Sequence, residues 1–294
     1  MKKRFSLKVW FWDTWEQLLQ FVALIGAVLL PFRFDFKAVV ELQKPKMEIQ
    51  ELAVYYALRH GNICISIILA VLMIMMFHKI NEKKVLNKGN RYHRRTMFGY
   101  WFCSHVLGYR KCSLIRVPIS DQFKLILSDT FDEYELGDYE KASADEIVSL
   151  RRYGSPAQSS LLQQNIVAND ADIRIESDNI FIAISDTYPI KDEMLPNQCN
   201  ESNTVIIQRL INKEDNKRYE SNALTAKVLN VIKHINKEVI VNVLPTTNVC
   251  NTYNIVNEVF KTGGQDNIKH LFVYPQPHKT ENDWNFSKNG KRIF

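Results

Sequence analysis

Two apolar, uncharged runs near the N-terminus constrain this chain more than any other feature. The first, LLQFVALIGAVLLPF, occupies residues 18–32, and the second, ICISIILAVLMIMMF, occupies 63–77. A helix that crosses a bilayer needs roughly 20 apolar residues. The flanks extend both runs, because the stems of Arg33 and Lys79 stay in hydrocarbon while their charges reach outward. Trp10, Trp12 and Trp15 precede the first run and Phe34 and Phe36 follow it, which suits the two headgroup interfaces. The expected spans are 17–34 and 62–79. A buried hairpin in a soluble core is the competing reading, but two nearly charge-free runs so close together are unusual there. A cleaved signal peptide fits the basic start, Met1 to Arg4, but no small-x-small cleavage site follows, so the first run reads as a signal anchor.

Positive charge sets the expected orientation. Lys2, Lys3, Arg4 and Lys8 precede the first run, and Lys79, Lys83, Lys84, Lys88, Arg91, Arg94 and Arg95 follow the second. The connection between the runs shows no such excess. Lys and Arg are retained on the cytoplasmic side, so both termini and the main domain are expected in the cytoplasm, on a hairpin in the inner (plasma) membrane. The basic cluster suits anionic headgroups at about 1 kcal/mol per residue. The lipid bilayer is thus the first expected partner. A net charge of +6 over 294 residues is modest, which disfavours nucleic acid as a partner. Within the connection, residues 47–58 read as a helix for want of breakers, and Pro31 should bend or end the first helix.

The chain divides into a hairpin at 1–80, a basic and aromatic juxtamembrane segment at 81–111, and an α/β domain at 112–294. Residues 96–111 are too short to span. They form either an interfacial amphipathic helix or the first helix of the domain, the reading favoured here. Residues 113–119 and 122–128 look like short strands, and 142–152 look like a helix. The acidic stretch 129–140 lacks a calcium-loop pattern and reads as solvated surface. Residues 153–160 have linker composition. Five scattered cysteines contain no C-x-x-C. Cys103, His105 and Cys112 fall one ligand short of a tetrahedral site, so no metal is expected.

From 178 onward the periodicity sharpens. Residues 179–185, 204–208, 239–244 and 270–274 read as strands, and 221–235 and 251–260 as helices, with Gly263 and Gly264 suited to the last C-cap. Strands alternating with helices predict a membrane-anchored α/β protein with a largely parallel sheet. Such sheets bind ligands beyond the carboxyl ends of their strands. The residues there are Ser185, Asp186, Thr187 and Tyr188 after one strand, Arg209 after the next, and Thr246, Thr247, Asn248 and Asn251 after the third. Hydroxyls and amides supply donors and acceptors, Arg209 suits phosphate, and Tyr188 can stack on a base. The same residues are also the ordinary ones for turns and N-caps. No phosphate loop, HExxH, GxSxG or dinucleotide fingerprint is present, so neither catalytic residues nor a cofactor is expected.

Two spans, a basic collar and a cytoplasmic α/β domain resemble bacterial two-transmembrane anti-phage effectors of the CBASS type, particularly those with a SAVED or CARF-like sensor. The resemblance lies in architecture and covers the chain in outline. It implies that a cyclic oligonucleotide binds the α/β domain, that the chain forms a homo-oligomer, and that rearranged hairpins make the membrane leak. The other readings are a membrane-anchored enzyme acting on a nucleotide or lipid head group, with Asp186 as base, and an interaction subunit of a membrane complex.

Overall fold

A computed structural model describes residues 7–33, 60–89, 92–93, 95–143, 145–153, 178–210, 217–235, 238–263, 267–276 and 284–294. The helix expected at 47–58 lies outside these residues, as does the linker beyond Tyr153. Helix α1 (Leu7–Leu29) closes in a 3-10 turn, Leu30–Arg33. It ends just before Pro31, whose ring excludes the preceding carbonyl and offers no N–H. Helix α2 (Gly61–Asn81) contains no breaker after its first residue. The two helices run antiparallel, because contacts move down α2 as they move up α1. Glu16 pairs with Lys84, Gln20 with Asn81, and the Ser66 hydroxyl donates to the Val28 carbonyl at 2.7 Å.

Only 11% of either apolar stretch is buried within the protein. Leu19, Val22, Ile25, Ile67, Val71 and Met75 face outward. A soluble core helix would bury those side chains, since each is worth about 1.5–3 kcal/mol when removed from water. Both helices are long and apolar enough to cross a membrane, by length and composition.

The polar base of the hairpin joins it to the α/β domain. Asn81 is completely buried, and its Nδ2 donates to the Gln20 Oε1 at 3.0 Å and to the Leu107 carbonyl at 2.7 Å. Gln20 returns a bond to the Asn81 Oδ1 at 3.1 Å. Leu107 belongs to the turn after helix α3 (Met97–His105), which Thr96 caps by accepting from the Gly99 N–H. In that turn Gly108 has φ +77°, and a Cβ there would stand 2.4 Å from the His78 Cα. Positive φ and close approach together require glycine.

Strands β1 (Val85–Leu86), β2 (Lys111–Ser113) and β3 (Glu133–Glu135) form a small parallel sheet. Tyr100 and Cys103 of α3 enter the same core as Leu86, Cys112 and Phe123. Three expectations fail here. Residues 113–119 are not a strand: β2 ends at Ser113, and the chain turns through Arg116, at φ +62°, into the next helix. Residues 122–128 are not a strand: helix α4 (Ile119–Leu127) holds them, because Phe123 and Ile126 share a face that packs on the domain. Residues 142–152 are not a helix: after strand β4 (Glu140–Lys141) comes β5 (Val148–Tyr153), where Val148 and Leu150 alternate with exposed Ser149 and Arg151. Exposed acidic residues of 129–140 are engaged in surface ion pairs, such as Asp129 with Lys261 and Glu140 with Lys217.

The main sheet adds β6 (Asn179–Ser185), β7 (Asn203–Arg209), β9 (Val239–Pro245), β10 (Ile268–Val273) and β11 (Lys291–Arg292), in the order β11-β10-β9-β6-β7-β5. A separate short strand, β8 (Tyr219–Glu220), pairs with β4. The inner strands β10, β9, β6 and β7 are parallel, and both edge strands are antiparallel. Alternate residues serve opposite faces. Ile180, Ile182 and Ile184 pack under helix α6 (Asn222–Lys233) and helix α7 (Val249–Ile255), which continues as a π-helical stretch, Val256–Gly263. Phe181 and Ala183 meet Ile190, Leu195 and Cys199, the last on the short helix α5 (Gln198–Glu201), on the other face. Burial on both faces explains the nearly continuous apolar strands.

Asn81→Ala should lower the stability of the detergent-solubilised chain by about 1–3 kcal/mol, because it leaves the Gln20 amide and the Leu107 carbonyl buried without partners. Lys84→Ala, which breaks an exposed ion pair, should cost under about 1 kcal/mol. Chemical unfolding of the three proteins in the same detergent measures both.

Candidate functional site

Strand β6 connects to β7 on one side, whereas β9 lies on the other side of β6 and connects onward to β10. The connections therefore diverge between β6 and β9, beyond whose carboxyl ends a crevice is expected. This is the switch point at which open α/β sheets place ligands. All nine residues singled out from the sequence gather here, and they divide into an inner and an outer set.

The inner set is buried, and its members bond to one another and to Glu146 and Ser221. Asp186 has no exposed surface. Its Oδ2 accepts from the Asn248 backbone at 3.0 Å and from the Asn251 side chain at 2.8 Å. Its Oδ1 lies 2.9 Å from the Arg209 Nε, a pairing of charges without the alignment of a hydrogen bond. Arg209 donates its other end to Glu146 at 3.1 Å and sits over the Tyr219 ring. Glu146 accepts from the Ser221 hydroxyl, which also caps α6 at the Leu224 N–H. Asn251 receives the Ser221 N–H at 2.8 Å, and Asn248 caps α7 by accepting the Asn251 N–H at 2.9 Å. Thr246 accepts from the Asp186 backbone, and the Ser185 hydroxyl donates to the Tyr188 carbonyl. Burial pushes the Asp186 carboxyl up from its ordinary range, and the Asn248, Asn251 and Arg209 donors oppose that shift. Glu146, which reads from the sequence as part of a solvated acidic surface, instead has its side chain buried as the third member of this charge cluster. The distance of 63 positions between it and Arg209 hides the pair from sequence inspection.

The outer set is Thr187, Tyr188 and Thr247, all half-buried. Thr187 is tied to the Thr246 carbonyl, and Thr247 shares a hydroxyl contact with Thr252 at 2.7 Å. Tyr188 meets Trp284 edge to face at 5.1 Å and donates to the Gln276 side chain. Burial raises the Tyr188 phenol to about 12, against the pull of the Arg218 charge. Arg218 also acts on Tyr139, whose burial-raised phenol takes a hydrogen bond from the Val249 backbone at the start of α7. Arg218 is exposed. An exposed guanidinium whose charge opposes the upward shift of both phenols is a feature that suits a planar, anionic ligand. Arg218 and Tyr139 went unread in the sequence because neither follows a core strand.

Cys103 and Cys112 are buried, whereas His105 is exposed and stacks on Trp101 at 5.2 Å. Among the described residues, no group of three or more His, Cys, Asp or Glu side chains could hold a metal.

A model of the SMODS- and Ubiquitin system-associated 2TM effector domain matches residues 2–293. The chain belongs to that family. No curated protein matches it. The 2TM effector is thus a membrane effector in anti-phage defence, of the CBASS type that its architecture resembles. Helices α1 and α2 are the candidates for its two spans.

Removing one partner from a buried charge pair strands the other, at a cost of about 3–5 kcal/mol. Arg209→Ala in the effector should therefore unfold at markedly lower denaturant. Arg218→Ala, on the exposed rim, should stay within about 0.5 kcal/mol of wild type. Unfolding curves for both distinguish the framework of the site from its contact surface.

Proposed function

We propose that the α/β domain senses a nucleotide second messenger, a cyclic oligonucleotide, at the β6/β9 crevice, and that binding drives the hairpins of a homo-oligomer to disrupt the membrane. The observation that carries this reading is the coincidence of the topological switch point with an assembled polar lining. In the proposal Tyr188 and Tyr139 face the base, Arg218 faces phosphate, and Thr187 and Thr247 supply hydroxyls. The inner network of Asp186, Arg209, Asn248 and Asn251 holds the loops in place and makes no contact with ligand. That division follows from burial, since groups enclosed by the protein present almost no surface to a ligand.

A physical route from crevice to membrane supports the second half of the proposal. Helix α7 starts at the crevice. Its Tyr253 packs on Tyr134 at 6.0 Å, and Phe260 of the π-helical stretch packs on Phe123 of α4 at 5.9 Å. Helix α4 shares its core with α3, and the turn after α3 bonds Asn81 at the base of the hairpin. A π-helical stretch in such a position often marks a functional site. In this proposal the crevice, the main domain and both termini lie in the cytoplasm.

The test is a thermal shift of the detergent-solubilised effector against mono-, di- and cyclic oligonucleotides. A ligand at 100 times its dissociation constant adds about 2.7 kcal/mol. One cyclic species should give a shift that Tyr188→Ala and Arg218→Ala abolish while remaining folded. No shift with any nucleotide would sink the sensor reading.

A further inference from the structure

Helix α3 has two faces, and the core uses only one. Tyr100 and Cys103 are buried in the domain, while Phe98 is 71% and Trp101 46% exposed. The exposed rings are ordered against one another. Phe98 stacks on Trp101 at 5.8 Å, and Trp101 stacks on His105 at 5.2 Å. Phe98 also leans on Phe102 at 6.5 Å, and Phe102 meets Phe21 of α1 edge to face at 5.5 Å. A continuous ladder of rings thus leads from the first apolar helix onto the outer face of α3. Helix α3 itself carries no Asp, Glu, Lys or Arg.

We propose that this face of α3 lies on the membrane, at the headgroup level of the leaflet where the hairpin emerges. The level follows from the register of the hairpin base. Phe21 adjoins Gln20, whose amide pairs with Asn81 at the end of α2, so α3 sits where the apolar stretches begin. Aromatic rings concentrate at that depth, and an uncharged aromatic stripe buries itself in the headgroup boundary. Exposed Lys79, Lys83 and Lys88, at and just after the end of α2, complement anionic lipid. Continuity with the span and the adjacent cations both favour lipid over a second copy of the chain. The domain is then held to the bilayer at two places, the hairpin and α3. The proposal rests on the hairpin being embedded, but not on nucleotide sensing.

The test compares full-length wild type with Trp101→Phe, both reconstituted in phosphatidylethanolamine–phosphatidylglycerol vesicles. The vesicles also contain phosphatidylcholine brominated near the glycerol end of its acyl chains. The difference between the two emission spectra isolates Trp101. It should be blue-shifted and quenched by the brominated lipid, and Phe98→Trp in the Trp101→Phe background should restore such a component. Three results would overturn the proposal. If the Trp101 component yields to aqueous iodide and not to bromine, the face is in water. If it yields to neither, protein covers it, with a second copy the first occupant to examine. In both cases the tryptophans of α1, Trp15 among them, should still be quenched by bromine. If they are not, the hairpin itself is outside the bilayer and both readings fall together.

Discussion

Two side-chain amides and one carbonyl join the part of this protein that fits a membrane to its α/β domain. Asn81 closes α2 without any exposed surface and bonds both Gln20 on α1 and the Leu107 carbonyl in the turn after α3. A buried amide costs free energy unless its donors and acceptors are met. Here they are met only when the two helices and the turn are all in place, so hairpin register and domain position become one condition. Gly108 tightens the joint, because its backbone approaches His78 more closely than any side chain would permit.

The same economy of polar groups governs the far end of the domain. Asp186, Arg209 and Glu146 form a buried charge cluster held by Asn248, Asn251 and Ser221. Such a network specifies geometry more than it adds stability. Here it fixes the start of α6, the start of α7 and the loop after β6 relative to one another. The outer residues Thr187, Tyr188 and Thr247 therefore present their groups on a rigid frame, as a binding surface needs.

Much of this was legible in the sequence where one signal dominated. The apolar runs marked α1 and α2, and β6, β7 and β9 showed as β-branched apolar stretches because both faces of the sheet are covered. The misreadings fell where segments were short. Ile119 to Leu127 mixes polar and apolar residues over only nine positions, too few for the helical period to outweigh the flanking Pro118. Val148 to Tyr153 alternates as an edge strand should, but Ala142 to Glu146 before it has helix-forming composition and masked the change. The residues of the crevice were readable because turn and cap chemistry collects at strand ends. Their division into framework and rim was not, since it depends on Glu146, Arg218 and Tyr139 arriving from elsewhere in the chain.

In the proposed mechanism the α/β domain acts on the hairpin through the joint at Asn81. Dye release from vesicles carrying the full-length effector, challenged with a panel of cyclic oligonucleotides, tests it most directly. Wild type should release dye with one species. Asn81→Leu, which keeps the side-chain volume and removes the amide, should still show the thermal shift with that species but release little dye. Equal release by Asn81→Leu, or none by wild type with a nucleotide that does bind, would contradict the account.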